Sequence, residues 1–348
     1  MSRDGQEGQA RTRRRIHPIT LLLGAAGLAL TVHLMDGAWP GLVRLVHAAG
    51  LGLFWVVPLR VAALGLDARG WWNLFPGRSE RPAWPRLAVL AFIRDGINNI
   101  LPVARVGGEM VAVRLLGQAR VPMALAAASI VAETSLTLVL LMALTFAGLA
   151  GLLGRVGGTP AVLSMLLAAV AGSAVVAVFV VVQARIGLAR AMQGVLARFF
   201  GDALAAKSAA FARFDQDVLA IYARRAGLWR CAGWQLAGLA GGMLELWWVL
   251  RLVRVPIGLG PLFILESLLL ALQNLSFVVP AALGIQEGGF VILGSALGLG
   301  MDAALLLALV RRLRQVVTGL PALAIWWWQD GRGRRVLALA GAASHRRG

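Results

Sequence analysis

The stretch "NNILPVARVGGE", residues 98–109, decides the fold. It sets two amides, a proline, an arginine, a glycine pair and a glutamate between two long apolar segments, where a continuous spanning helix tolerates few such groups. Backbone that is not helical at membrane depth persists only where it is buried in protein or lines a wet cavity. Pro102 is therefore expected to end one half-helix. Gly107 and Gly108 are expected to let a returning half-helix approach its neighbours closely.

The surroundings make membrane depth the right frame. Of 348 residues, 59% are hydrophobic and 14% charged, and the mean hydropathy is +0.77, which places the chain among polytopic membrane proteins. Apolar runs long enough to span fall at 17–35, 42–66, 121–150, 159–183, 228–250 and 303–328. Two further apolar regions, 85–116 and 261–300, are interrupted near their middles, the second at Pro280. The sequence thus predicts an all-α polytopic membrane protein with six spans plus two broken or re-entrant helical hairpins. Its transmembrane domain is a single unit, 17–328, between basic tails at 1–16 and 329–348.

The formal charge of +18 sits in the tails and in short loops between spans, which is the positive-inside pattern and points away from nucleic acid. Both termini are read as cytoplasmic, with Arg155, Arg251 and Arg254 a minor dissent on the other face. Between the fourth and fifth spans, 185–225 carries Leu188, Met192, Val195 and Phe199, then Phe211, Phe214, Val218 and Ile221, at helical spacing. That segment reads as amphipathic helix on the cytoplasmic leaflet. One cysteine, Cys231, excludes an intrachain disulfide. The scattered His17, His33, His47 and His345 offer no metal-ligand spacing, so neither metal nor cofactor is expected. No Walker loop or GxSxG elbow occurs, and the polar stretches are too short for a soluble catalytic domain.

An internal echo organises the rest. "PVARVGGEMVAVRLLGQARVPMALAAASIVAE", 102–133, matches "PAALGIQEGGFVILGSALGLGMDAALLLALVRRLR", 280–314, in its proline, glycine pair and adjacent glutamate. In both, a long span begins about thirteen residues after the second glycine. Repeat units of about 42–150 and 228–328 follow, and the loop charges give them inverted topology. Inverted repeats with discontinuous helices place substrate sites where those helices meet.

Charged residues inside spans cost roughly 2.5–3.5 kcal/mol each on insertion scales and so face a cavity or a partner. Glu133 and Arg314 lie at equivalent repeat positions, about 18 Å into their spans at ~1.5 Å per residue. The two spans are expected to cross there, with Glu133 facing Arg314 or Arg311. Arg94 and Asp95 are expected to pair locally, and Arg44 and Arg60 to snorkel from a span end. Glu109 and Glu287 fall where a carboxylate caps a returning half-helix, and Arg105 is placed to bind phosphate. The Trp71-Trp72, Trp247-Trp248 and Trp326-Trp327-Trp328 clusters read as interfacial belts.

These residues resemble a family. "INNILPVARVGGEMVAVRLL" with "VPMALAAASIVAET", and "FVVPAALGIQEGGFVILGSALGL" followed by "LALVRRLRQVVTGLPALAIW", look like the flippase-like transmembrane domain of the lysylphosphatidylglycerol synthase family, most like its stand-alone branch associated with hopanoid biosynthesis. The family-like positions are Asn98, Asn99, Pro102, Gly107, Gly108, Glu109, Gln286, Glu287, Gly288, Gly289, Arg311 and Arg314. The resemblance implies a multi-pass protein of the bacterial inner membrane that handles lipid across the bilayer. The soluble aminoacyl-transfer domain of the full synthase has no counterpart here, so lysyl-lipid synthesis is not expected. The site expected to bind lipid is Asn98, Asn99, Arg105, Glu109, Glu133, Gln286, Glu287, Arg311 and Arg314, with Pro102, Gly107, Gly108, Pro280, Gly288 and Gly289 as hinges. The expected function is a lipid transporter or flippase moving an anionic, polyisoprenoid or hopanoid-related lipid, with a membrane-embedded enzyme or accessory subunit of lipid biosynthesis as the alternative. Its expected partners are the membrane lipid itself and lipid-biosynthesis enzymes.

Overall fold

In lipid a backbone must satisfy its hydrogen bonds within the segment, which favours helices throughout; among the described residues there is no strand. The computed structural model describes residues 39–77, 81–100, 107–188, 190, 208–275 and 284–345. The expected span 17–35, Pro102, Arg105, Pro280 and residues 189 and 191–207 of the amphipathic segment lie outside the described residues.

The second apolar run is a helix α1 (Trp39–Ala49), a 3₁₀ turn (Gly50–Trp55) and a helix α2 (Val56–Trp72). The first broken region gives α3 (Trp84–Ile100) and α4 (Gly107–Gln118). The long α5 (Met123–Val156) and α6 (Pro160–Val181) follow. Between α5 and α6, Gly157 takes φ 73°, and Thr159 caps α6 by accepting from Val162 N at 3.4 Å ahead of Pro160 at the first helical position. A π turn (Val182–Ile186) ends α6. Then come α7 (Ser208–Ala223), α8 (Arg225–Leu252), α9 (Leu259–Leu275), α10 (Ile285–Ala296) and α11 (Met301–His345). By length and composition three described segments suffice to cross a membrane, Val43–Trp72, Met123–Val156 and Pro160–Ile186. The expected spans 228–250 and 303–328 lie within the longer, charge-bearing α8 and α11.

The repeat is visible as packing. Units α2-α3-α4-α5 and α8-α9-α10-α11 meet through α2 and α8, while α3 packs on α11 and α9 packs on α5. Each broken region is a hairpin laid against the other unit's closing helix. Gly96 faces Ala322 and Gly319, and Ile100 reaches Gly319, while Ser267 faces Gly148 and Ile264 faces Gly151. α4 then returns: Arg114 pairs with Asp330 of α11 at 3.0 Å. α10 returns likewise, with Gly289 under Leu272 and Gly294 beside Ala304. The first hairpin opens toward the end carrying Arg69, Arg120 and Arg225, the second toward the end carrying Arg155, Arg251 and Arg254.

The apolar interior is divided in two. One cluster, around Trp71, Leu87, Leu116 and Ile221, fills the first end; the other, around Val56, Leu250, Leu265 and Phe290, fills the second. Between them lies a layer of buried charges, which Born desolvation forbids unless each is matched.

Several expectations change. α2 runs on to Trp72 rather than ending near 66, so Asp67 sits inside a helix. Trp71 is fully buried, donating from Nε1 to Ser129 Oγ at 3.1 Å, so it anchors the interior rather than a belt. Trp72 stacks between the Arg69 and Arg81 guanidiniums, each 4.2 Å from the ring. The apolar face of α7 is covered by α5, not by lipid alone: Val218 and Ile221 are 2% and 1% exposed. Tyr222 donates to Gln183 Oε1 at 2.8 Å, and Gln183 Nε2 donates to Ser135 Oγ at 3.0 Å. By contrast α6 buries only Val162 and Ala169.

Candidate functional site

The layer is built from helices that each carry polar groups on one inward stripe. In the first unit Arg94 of α3 grips Glu133 of α5 with both guanidinium arms, Nη1 to Oε2 at 2.5 Å and Nη2 to Oε1 at 2.8 Å. The same Nη1 reaches Glu109 Oε2 at 3.4 Å, and the guanidinium lies 5.2 Å from the Trp71 ring. Asn98 closes this hairpin: its Oδ1 accepts from Gly108 N at 3.0 Å and its Nδ2 donates to Glu109 Oε1 at 3.4 Å. Only glycine fits at 108, because a Cβ would stand 2.6 Å from the Arg94 carbonyl oxygen. Asp95, one residue on and pointing elsewhere, accepts from Arg60 Nη2 of α2 at 2.5 Å.

The second unit repeats the plan with the signs exchanged. Arg311 of α11 pairs with Glu266 of α9 and stacks 5.1 Å from the Phe290 ring. Arg314 Nε lies 2.9 Å from Glu245 Oε1 of α8. Glu287 caps α10, accepting from Gly284 N at 2.9 Å through Oε2, while Oε1 accepts from Arg312 Nη2 at 2.8 Å. Gly284, at φ 77°, holds a conformation that side chains resist.

α8 runs through the middle of both. Gln235, Gly238, Gly242 and Glu245 recur at intervals of three and four and so form one stripe. Gln235 Nε2 reaches Glu133 Oε1 at 3.5 Å. The glycines make room for carboxylates from either side: a Cβ at 238 would fall 2.1 Å from Asp67 Oδ1, and one at 242 would fall 2.5 Å from Glu266 Oε1.

The expected crossing pair is not formed. Glu133 is held by Arg94 and Arg314 by Glu245, so neutralisation occurs within each unit rather than between them. Likewise Arg94 and Asp95 take partners on different helices, because consecutive helical residues point about 100° apart. Arg60 is ion-paired at the layer instead of snorkelling. Glu109 and Glu287 both stand in first turns, and Asn99 lies partly buried in the last turn of α3. Of the glycine pairs, Gly108 and Gly289 make the close approaches; a Cβ at Gly288 meets nothing within 4 Å. Asp67, Gln235, Glu245 and Arg312 were not expected in the site. Glu245 was open to the same test as Glu133, being a lone carboxylate in an apolar run.

Four buried donors of the second unit make no hydrogen bond among the described residues: Arg311 Nε, Arg314 Nη1, Gln286 Nε2 and Arg314 Nε, which has only its ion pair with Glu245. On another face of α10 is an apolar cavity of about 410 Å³ between α5, α6, α9 and α10, walled at α10 by Gly284, Ile285, Gly288, Gly289, Ile292 and Leu293. Among the described residues no group of three or more His, Cys, Asp or Glu is placed to hold a metal ion.

These features define an all-α polytopic membrane domain in which two inverted hairpins close on a buried layer of charges. The chain belongs to the family described as the lysylphosphatidylglycerol synthase TM region, whose model matches residues 18–322. No curated protein and no solved structure shows a significant similarity to it.

Proposed function

We propose that the protein handles a lipid with an anionic head group across the bilayer, in the manner of a flippase of a bacterial inner membrane with both termini cytoplasmic. One observation carries the reading: buried N–H donors of Gln286, Arg311 and Arg314 have no acceptor among the described residues, and α10, which carries Gln286, also walls an apolar cavity. Gln286 and Gly288 are two positions apart on α10 and so on nearly opposite faces; the proposed ligand straddles this short helix, its phosphate on Arg311, Arg314 and Gln286 and its hydrocarbon on the cavity side against Gly288. Buried donors without acceptors cost about 1–3 kcal/mol each, and guanidinium groups pair well with phosphate oxygens. The membership supports a lipid cargo, and the hopanoid-related branch is the proposed setting. Acid–base chemistry by Asp95 with Glu109 or Glu287 finds less support, since Arg60 holds Asp95, Arg94 and Asn98 hold Glu109, and Glu287 caps the opposite hairpin.

Native mass spectrometry of gently purified protein tests this. One anionic lipid class is expected on the wild type, reduced in Gly288→Leu, which fills the cavity, and in Arg314→Gln/Glu245→Gln, which removes a donor without stranding a charge. Equal binding of bulk lipids by all three overturns the reading.

A further inference from the structure

The charge layer is unsatisfied in both senses among the described residues. Arg60, Arg311, Arg314 and Gln286 keep buried N–H donors without acceptors, whereas Asp67 of the first unit and Gln235 of the second keep oxygens without donors. Every other carboxylate of the layer has a guanidinium: Asp95 has Arg60, Glu133 and Glu109 share Arg94, Glu266 has Arg311, Glu245 has Arg314 and Glu287 has Arg312. Asp67 alone makes no hydrogen bond or ion pair among the described residues. Its carboxylate lies against Gly238 of α8, and it is partly accessible, so a species the size of water reaches it.

One turn along the same stripe is Gln235, 4% exposed, whose buried Oε1 has no donor among the described residues while its Nε2 faces Glu133. An acceptor-only pair in a low-dielectric interior is unfavourable as it stands. The charges around Asp67 do not repair it: Arg60 of its own helix and Arg94 of α3 are already engaged by Asp95 and by Glu133 and Glu109, and Asp95 and Glu133 add negative charge. Cys231 of α8, also nearby, contributes no positive charge.

We infer that Asp67, with the carboxamide oxygen of Gln235 and the edge of Glu133, forms a site for one monovalent inorganic cation, a sodium ion or a proton, seated in the gap that Gly238 leaves. Hard oxygen donors, and the excess of the carboxylates Asp67, Asp95, Glu109 and Glu133 over the guanidiniums Arg60 and Arg94, suit a cation, whereas a divalent metal lacks the free ligands here. The site lies in the same layer as the spare donors of the second unit but does not depend on the lipid reading. Its occupancy is a means of coupling an ion gradient to that layer.

The test uses purified full-length protein in detergent, so its failure is separable from failure of lipid transport. Thermal unfolding is followed in NaCl and in N-methylglucamine chloride at equal ionic strength, and the infrared spectrum is searched for the carbonyl stretch of a protonated carboxylic acid. Going from sodium-free N-methylglucamine chloride to Na⁺ at a hundredfold excess over its Kd is expected to shift the unfolding equilibrium on the order of a hundredfold. Asp67→Asn, nearly isosteric and neutral, is expected to abolish the shift and Gln235→Leu to reduce it. If sodium has no effect, a protonated-acid band in the wild type that disappears in Asp67→Asn identifies the cation as a proton. Absence of both signals, or both surviving Asp67→Asn, overturns the proposal.

Discussion

The first and second hairpins solve one problem with opposite signs. In the first, the broken helix supplies the guanidinium (Arg94) and the closing helix the carboxylate (Glu133); in the second, Glu266 stands on the broken helix and Arg311 on the closing one. What is kept between the units is a guanidinium–carboxylate pair joining the broken helix to the closing one, not the sign at a given position. Each hairpin can therefore dock on the other unit's closing helix without bringing a naked charge with it. The pairs also differ in depth: side-chain exposures are 4% and 6% for Arg311 and Glu266, against 16% and 4% for Arg94 and Glu133.

That difference sets the largest expected effect. Arg311→Met strands Glu266 in the interior and is expected to cost about 3–5 kcal/mol in unfolding free energy. Arg94→Met is expected to cost less, because Gln235 still faces Glu133. Adding Glu266→Leu to Arg311→Met should restore most of the loss. Equal losses in the two single variants, or no recovery in the double, would break the comparison between the hairpins.

Packing gives the next step down. At Gly96 an added Cβ stands 2.4 Å from Ala322 Cβ and 3.2 Å from Gly319 Cα, neither of which can rotate away. Gly96→Ala is expected to cost about 1–3 kcal/mol. At Gly148 the obstacle is the Ser267 hydroxyl, a rotatable group, so Gly148→Ala should lower the thermal midpoint by less. The hairpin tips follow: Asn98→Ala, which frees Gly108 N, is expected to cost about 1 kcal/mol. Gly288→Ala marks the floor, within about 0.5 kcal/mol, because the side chain enters open space.

Much of this plan was legible in the sequence. Gly107-Gly108 and Gly288-Gly289 pointed to the two returning helices, and spacing from the glycines gave Glu133 and Arg314 their matching depths. Depth is all that spacing gives. Which neighbour a side chain meets depends on the azimuth of its helix and on which helices pack, so Glu133 was expected to meet Arg314 and instead meets Arg94. Asp67 was hidden because hydropathy falls before α2 ends. Gln235 was hidden because a lone amide carries no motif. Trp71 and the inner face of α7 misled for a common reason, since amphipathic and aromatic residues suit a lipid interface and a protein interior equally well.

The central claim is that the charge layer carries a lipid head group instead of serving only to hold helices together. It is tested most directly by translocation of a fluorescent anionic phospholipid in proteoliposomes, read as accessibility to a membrane-impermeant quencher, for wild type, Arg314→Gln and Arg314→Gln/Glu245→Gln. The double variant removes the stranded carboxylate and is expected to unfold at a temperature close to that of the wild type. Translocation by the wild type, with loss to the level of protein-free vesicles in both variants, is the predicted result. Wild-type translocation by the double variant would contradict the account and reduce the Arg314–Glu245 pair to a structural tie.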